Sequence, residues 1–174
     1  LAKAALISKH KCSHDCARAA PCRLILRAGL LHDVLMDAEC ILDIKVATCD
    51  EAVWSLLREK SVLGGLENLR KLAIDNDCYL PVFAEVLQHC PELKIVNIIS
   101  SNIGDEGAAS LAPALSNCTQ LQRLDLSLNK IGAEGAVSLA PALSNCTQLQ
   151  KLNIMCNNIG DEGAASLAPA LSNC

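Results

Sequence analysis

Slid along itself by 28 residues, this chain aligns with itself over three consecutive stretches without a gap, and that periodicity dictates a linear array of like units. The stretches begin at Leu93, Leu121 and Leu149. The second reads LQRLDLSLNKIGAEGAVSLAPALSNCTQ and the third LQKLNIMCNNIGDEGAASLAPALSNC; the first opens more loosely as LKIVNIISSN and then joins the pattern. A unit of this size cannot bury an apolar side alone, so neighbours must stack to build a shared core.

Each unit carries two periodicities. Leu121, Leu124, Leu126 and Leu128 set a spacing that places Leu124 and Leu126 on one face of a short strand, with Arg123, Asp125 and Ser127 on the other. After Asn129, Ile131 and Gly132, the residues Ala136, Leu139, Ala140 and Leu143 recur at steps of three and four, which is one face of a helix. Asp105 and Glu106, like Asp161 and Glu162, stand at the start of that helix, where carboxylates meet exposed N–H groups and the positive dipole end. Pro113, Pro141 and Pro169 fall inside the helical pattern, so each helix is expected to split or bend there.

The pattern L-x-x-L-x-L-x-x-N-x-I-G at this period resembles the leucine-rich repeat of the ribonuclease-inhibitor subtype, from about residue 66 to the end. The resemblance implies an α/β, right-handed solenoid, a horseshoe arc with parallel strands on the concave face and helices on the convex face. It also implies that the Asn of the pattern, Asn129 and Asn157 here, bonds to backbone where the chain turns. The first unit has Ser101 at that position, so its turn is expected to be less well tied. Upstream, Leu69, Leu72 and Ile74 open a shorter unit whose helix is PVFAEVLQHC. The expected organisation is an irregular or capping segment over 1–38, then repeats over 39–174. These are a degenerate one at 39–68, then 69–92, 93–120 and 121–148, and a truncated one at 149–174. The last stops after its helix, so the sequence reads as a fragment of a longer array, and its uncovered end predicts self-association.

Composition removes several function classes. Aromatics are 2% of the residues and none lies in the second half, which excludes a base-stacking nucleic-acid platform. The apolar runs are broken well short of the ~20 residues that span a bilayer, so no membrane partner is expected. Cysteine is abundant at 11, an odd number with no tight framework after Cys22, which points to thiols in a reducing, cytoplasmic setting. Cys118, Cys146 and Cys174 recur at the helix exit, as small buried hydrophobes in stacked units would. His10, Cys12, His14, Cys16 and Cys22 are zinc-type ligands, but they crowd together without a second pair, and no metal or cofactor is expected. The same stretch is basic, through Lys3, Lys9, Lys11, Arg18, Arg23 and Arg27. Neither a nucleophile with its base nor a phosphate-binding loop can be picked out, so the chain does not read as an enzyme.

Comparing units locates the variable surface. Between 121–144 and 149–172 the helical half changes only at Ala133/Asp161 and Val137/Ala165, whereas the strand half changes at Arg123/Lys151, Asp125/Asn153, Leu126/Ile154, Ser127/Met155, Leu128/Cys156 and Lys130/Asn158. The concave face is therefore the expected site of a protein partner. Its candidate residues are Lys71, Asp75, Ile95, Asn97, Ile99, Arg123, Asp125, Ser127, Lys151, Asn153 and Met155. Through IGDEGAASLAPAL the units are similar to the C-terminal repeats of NOD-like receptors. That resemblance implies a non-enzymatic module that senses ligands or restrains an adjoining nucleotide-binding domain. Two other readings use the same repeat: a Ran-type GTPase-activating protein, which needs a catalytic loop and acidic tail not identifiable here, and a cytoskeletal or axonemal scaffold.

Overall fold

Alternation of apolar and polar residues over Leu124–Ser127 and its equivalents produces one short strand per unit, and the residues that follow produce one helix. The computed structural model describes residues 22–26, 41–46, 51–62, 66, 68–75 and 80–172. In chain order its elements are β1 (Cys22–Leu26), β2 (Ile41–Val46), α1 (Glu51–Val62), β3 (Lys71–Asp75), α2 (Leu80–Gln88) and β4 (Ile95–Ile99). They continue as α3 (Gly104–Ser116), β5 (Arg123–Asp125), α4 (Ala133–Asn145), β6 (Lys151–Asn153) and α5 (Gly160–Leu171). The strands form a single sheet in sequence order, β1 to β6, and every pairing is parallel. A sheet whose spatial order equals its sequence order, with a helix between successive strands from β2 onward, is an α/β solenoid. The stretch before Cys22, which holds His10 to Cys16, lies outside the described residues, as do 27–40 and Cys174.

The core runs the length of the array as columns of equivalent side chains. Leu72, Val96 and Leu124 stand in register on adjacent strands and are fully buried, as are Ile74 and Ile98. Leu111, Leu139 and Leu167 supply the helix side of the same layer. At the other end Trp54 of α1 meets Phe83 of α2 edge to face, with ring centroids 6.1 Å apart. An exposed Arg58–Glu85 ion pair of 2.8 Å links these two helices at the surface.

The turns after the strands are tied by amides that reach across units. Asn129, fully buried, donates to the Ile98 carbonyl at 2.6 Å and to that of Ser127 at 3.0 Å, and accepts the Ser101 N–H at 2.8 Å. Asn157 repeats this one turn later, donating to Leu126 and Ile154 and accepting from Asn129 and Ile131. The turn at Ser101 is thus better held than its own sequence implies. The amide comes from the next unit, and the Ser101 hydroxyl adds a bond to the Ile99 carbonyl.

The helices depart from expectation at proline. Each of α3, α4 and α5 runs without a break through Pro113, Pro141 or Pro169. The prolines are exposed, and so are Ala109, Val137 and Ala165 four residues earlier, whose carbonyls lose a donor. Water can replace that bond on the outer surface, which removes the need to split the helix.

Asp105 does more than meet its own helix. Its Oδ1 accepts the backbone N–H groups of Gly132 and Gly135, 2.7 and 2.8 Å away, and so caps α4 from α3. A Cβ built on Gly135 would lie 2.5 Å from that oxygen and 3.1 Å from the Ala108 Cβ, so the glycine is what lets the two helices approach.

Candidate functional site

The face of the sheet turned away from the helices presents three files of side chains, set by the parallel register. The first joins Lys71, Ile95, Arg123 and Lys151, and Asp43 pairs with Lys71 one strand earlier. The second joins Ala73, Asn97, Asp125 and Asn153. The third starts with Asp75 and Ile99. It continues through Ser127 and Met155, where the strands give way to extended chain still bonded across turns by Ser100 to Ser127 and Leu128 to Met155. All eleven residues expected on this face therefore occupy outward strand positions or their continuation. The side chain of Asp75 lies outside the described residues.

The files differ in what they offer a ligand. Arg123 and Lys151 are exposed, while Ile95, Asn97 and Ile99 are half-buried. Asp125 and Ser127, by contrast, are only 5% and 8% exposed. The Asp125 carboxylate accepts the Ser127 hydroxyl at 2.7 Å, the Ser127 N–H at 3.1 Å and the Asn153 amide at 3.0 Å. Burial by itself would raise its pKa. The hydrogen bonds from Ser127 and Asn153, with the nearby charge of Arg123, outweigh burial and hold the carboxyl below its ordinary value. Asn153 in turn accepts the Met155 N–H at 3.2 Å. Asp125 and Asn153 of the middle file thus form a polar brace across two turns, and the exposed chemistry lies at the two ends of the strands.

The far end is apolar. Met155 is 69% exposed and Leu128 52%, and Cys156 is exposed beside them. The spacing of leucines groups Leu128 with the core residues, but the structure turns it outward. Ser100, Leu128 and Cys156 occupy the same place in successive units, and all three have left-handed φ values of 55°, 62° and 56°. That conformation makes the turn after the strand and rotates the side chain away from the core. Positive φ at a leucine has no signature in an apolar spacing, so the sequence could not reveal it.

Three thiols among the described residues are unsuited to covalent chemistry. Cys90, Cys118 and Cys146 are buried in a column, each donating its thiol to the carbonyl four residues earlier at 3.2–3.5 Å. Burial, reinforced by the thiol of the next unit, pushes Cys90 and Cys118 up to about 12, far from a thiolate. Among the described residues no three His, Cys, Asp or Glu come together as a metal site. No described helix is long and apolar enough to cross a membrane.

A family model described as Leucine Rich repeat matches residues 89–112, 117–140 and 145–168, at the same 28-residue step as the hydrogen-bonded register. Among solved structures, the chain is similar to an internalin from Listeria monocytogenes at 17% identity and a TM-score of 0.30. The alignment covers 74% of this chain and 52% of the internalin, so the chain spans about half of that structure's length. No curated protein matches the chain.

Proposed function

We propose that this leucine-rich-repeat protein is a non-enzymatic interaction module that holds a protein partner against the strand face of its solenoid. Domains of this class generally mediate protein–protein interaction. One observation carries the proposal for this chain: six of the eight differences between units 121–148 and 149–174 fall in the strand and the turn after it, including the outward positions 123, 125 and 127, while the helices change at only two. Uniform helices keep the scaffold stacking, and varied strand residues make a surface that is not periodic. The similarity of IGDEGAASLAPAL to NOD-like receptors, and the ribonuclease-inhibitor-like unit of 28 residues, extend the reading to the repeat segment of a cytoplasmic sensor.

Photo-crosslinking side chains placed singly at Asn97 and Lys151, and as controls at Val137 and Ala165 on the helices, test the face. Protein adducts from the strand positions are expected, and adducts from the helix positions alone overturn the proposal. The sensor reading is tested by the intact mass of the endogenous protein captured with an antibody to residues 80–172. A species well above 18.4 kDa with a nucleotide-binding domain is expected, and one of 18.4 kDa overturns it.

A further inference from the structure

Resting on that reading of the strand face, we infer that its occupant is an acidic, extended segment of a partner protein, docked across the strand starts on Arg70, Lys71, Lys94, Arg123 and Lys151. These five cations line the starts of the strands. Lys71, Arg123 and Lys151 share a file, and Arg70 and Lys94 stand one position earlier, joined by the bond from the Lys94 N–H to the Arg70 carbonyl. Every turn from β3 to β6 thus contributes at least one positive charge, at steps of about 4.8 Å.

The charge is concentrated against the sign of the whole molecule, which is −4. Arg123 and Lys151 are direct neighbours in the ladder, an arrangement of like charges that disfavours the free protein. Within the described residues neither side chain forms a hydrogen bond or an ion pair. The acid that faces them, Asp125, offsets part of the Arg123 charge, but its oxygens are already taken by Ser127 and Asn153. Asp43 pairs with Lys71 at one end of the file, and Glu92 is exposed in the turn before β4. The acids of the array gather instead at the helix starts, Asp105, Glu106, Glu134, Asp161 and Glu162, beyond the opposite ends of the strands. An anionic ligand laid across the strand starts relieves the repulsion and meets no acidic file of equal strength.

Peptide fits this surface better than nucleic acid, because no aromatic side chain follows Phe83 to stack a base. Ile95 within the basic file, and Ile99 and Met155 about four residues further along the strands, give an apolar residue of the same peptide a place to anchor. The four turns span about 14 Å, the length of four to five extended residues.

The test uses the full chain and three labelled ten-residue peptides, each with a central Leu, carrying six Glu, six Gln or six Lys. The Glu peptide is expected to bind at least tenfold more tightly than the Gln peptide and to weaken as salt rises from 50 to 300 mM. Arg123→Glu with Lys151→Glu should lower its affinity at least tenfold, leave the urea midpoint unchanged and favour the Lys peptide. Arg123→Gln with Lys151→Gln should give a smaller loss, and it serves as the variant should the reversal not fold. Equal binding of the Glu and Gln peptides, or no binding of the Glu peptide at millimolar concentration, overturns the inference. If the Gln peptide binds and Ile99→Asp with Met155→Asp abolishes it, the strand face stands and only its acidic occupant is lost. Preference for phosphatidylserine vesicles or a 20-nucleotide DNA strand also overturns it. So does self-association by light scattering that the charge reversal removes, since that assigns the rim to a second copy.

Discussion

Asn129 satisfies three backbone groups of two different units with one fully buried amide. Asn129→Ala would leave the Ser101 N–H and the Ile98 and Ser127 carbonyls without that partner, at about 3 kcal/mol. A fall in the urea midpoint at unchanged m-value would show it. The cysteine column makes a second prediction. In the unfolded chain Cys90 and Cys118 titrate near the ordinary thiol value of about 8.5, and in the folded chain near 12. Their stabilising effect is therefore fully present below pH 8.5. It is lost as pH rises toward 12, because only the unfolded chain releases the protons. Melting temperature against pH should fall above pH 9, less steeply in Cys90→Ala with Cys118→Ala, and at pH 7.5 iodoacetamide should modify Cys156 before either. Asn129 and the cysteines were legible in the sequence because their spacing is the spacing of the unit. The roles of Leu128 and Asp125 were not, since one depends on a backbone angle and the other on partners chosen by tertiary packing.

At the level of elements, strand and helix followed from the change of apolar period, and Gly104, Gly132 and Gly160 mark where one gives way to the other. The cap on α4 did not follow, because its donor and acceptor sit 27 and 30 residues apart on different helices. Asp105→Ala should destabilise the protein by about 1 kcal/mol and speed amide exchange at residues 132–136. The next helix lacks this device. Ala133 stands toward Gly160 and Gly163 as Asp105 stands toward Gly132 and Gly135, and the backbone of Ala133 lies against Gly163. Ala133→Asp should therefore stabilise α5, raising the midpoint by an amount equivalent to about 1 kcal/mol. The prolines show the limit of propensity as a guide. A residue that breaks an isolated helix is accommodated where the orphaned carbonyl faces water.

For the whole molecule, the solenoid was legible because a 28-residue repeat leaves few other ways to bury Leu93, Leu121 and Leu149 together. The chemistry of the strand face was legible only as a set of positions. Which of its side chains remain available depends on bonds between turns, as the contrast of Asp125 with Arg123 shows. The amides of Asn129 and Asn157 carry a further consequence. Since the turns at Ser101 and Asn129 are both closed by the unit that follows, the molecule should be editable in whole units and in no smaller step. Excising residues 121–148 would bring Asn157 to the Ser101 N–H and the Ile98 carbonyl, and Asp105 to the open start of the helix at Gly160. The shortened chain should keep its helical content per residue and unfold cooperatively. Excising only 121–134 should leave a chain that circular dichroism finds largely unfolded beyond residue 120, because half a unit has no seam to close upon.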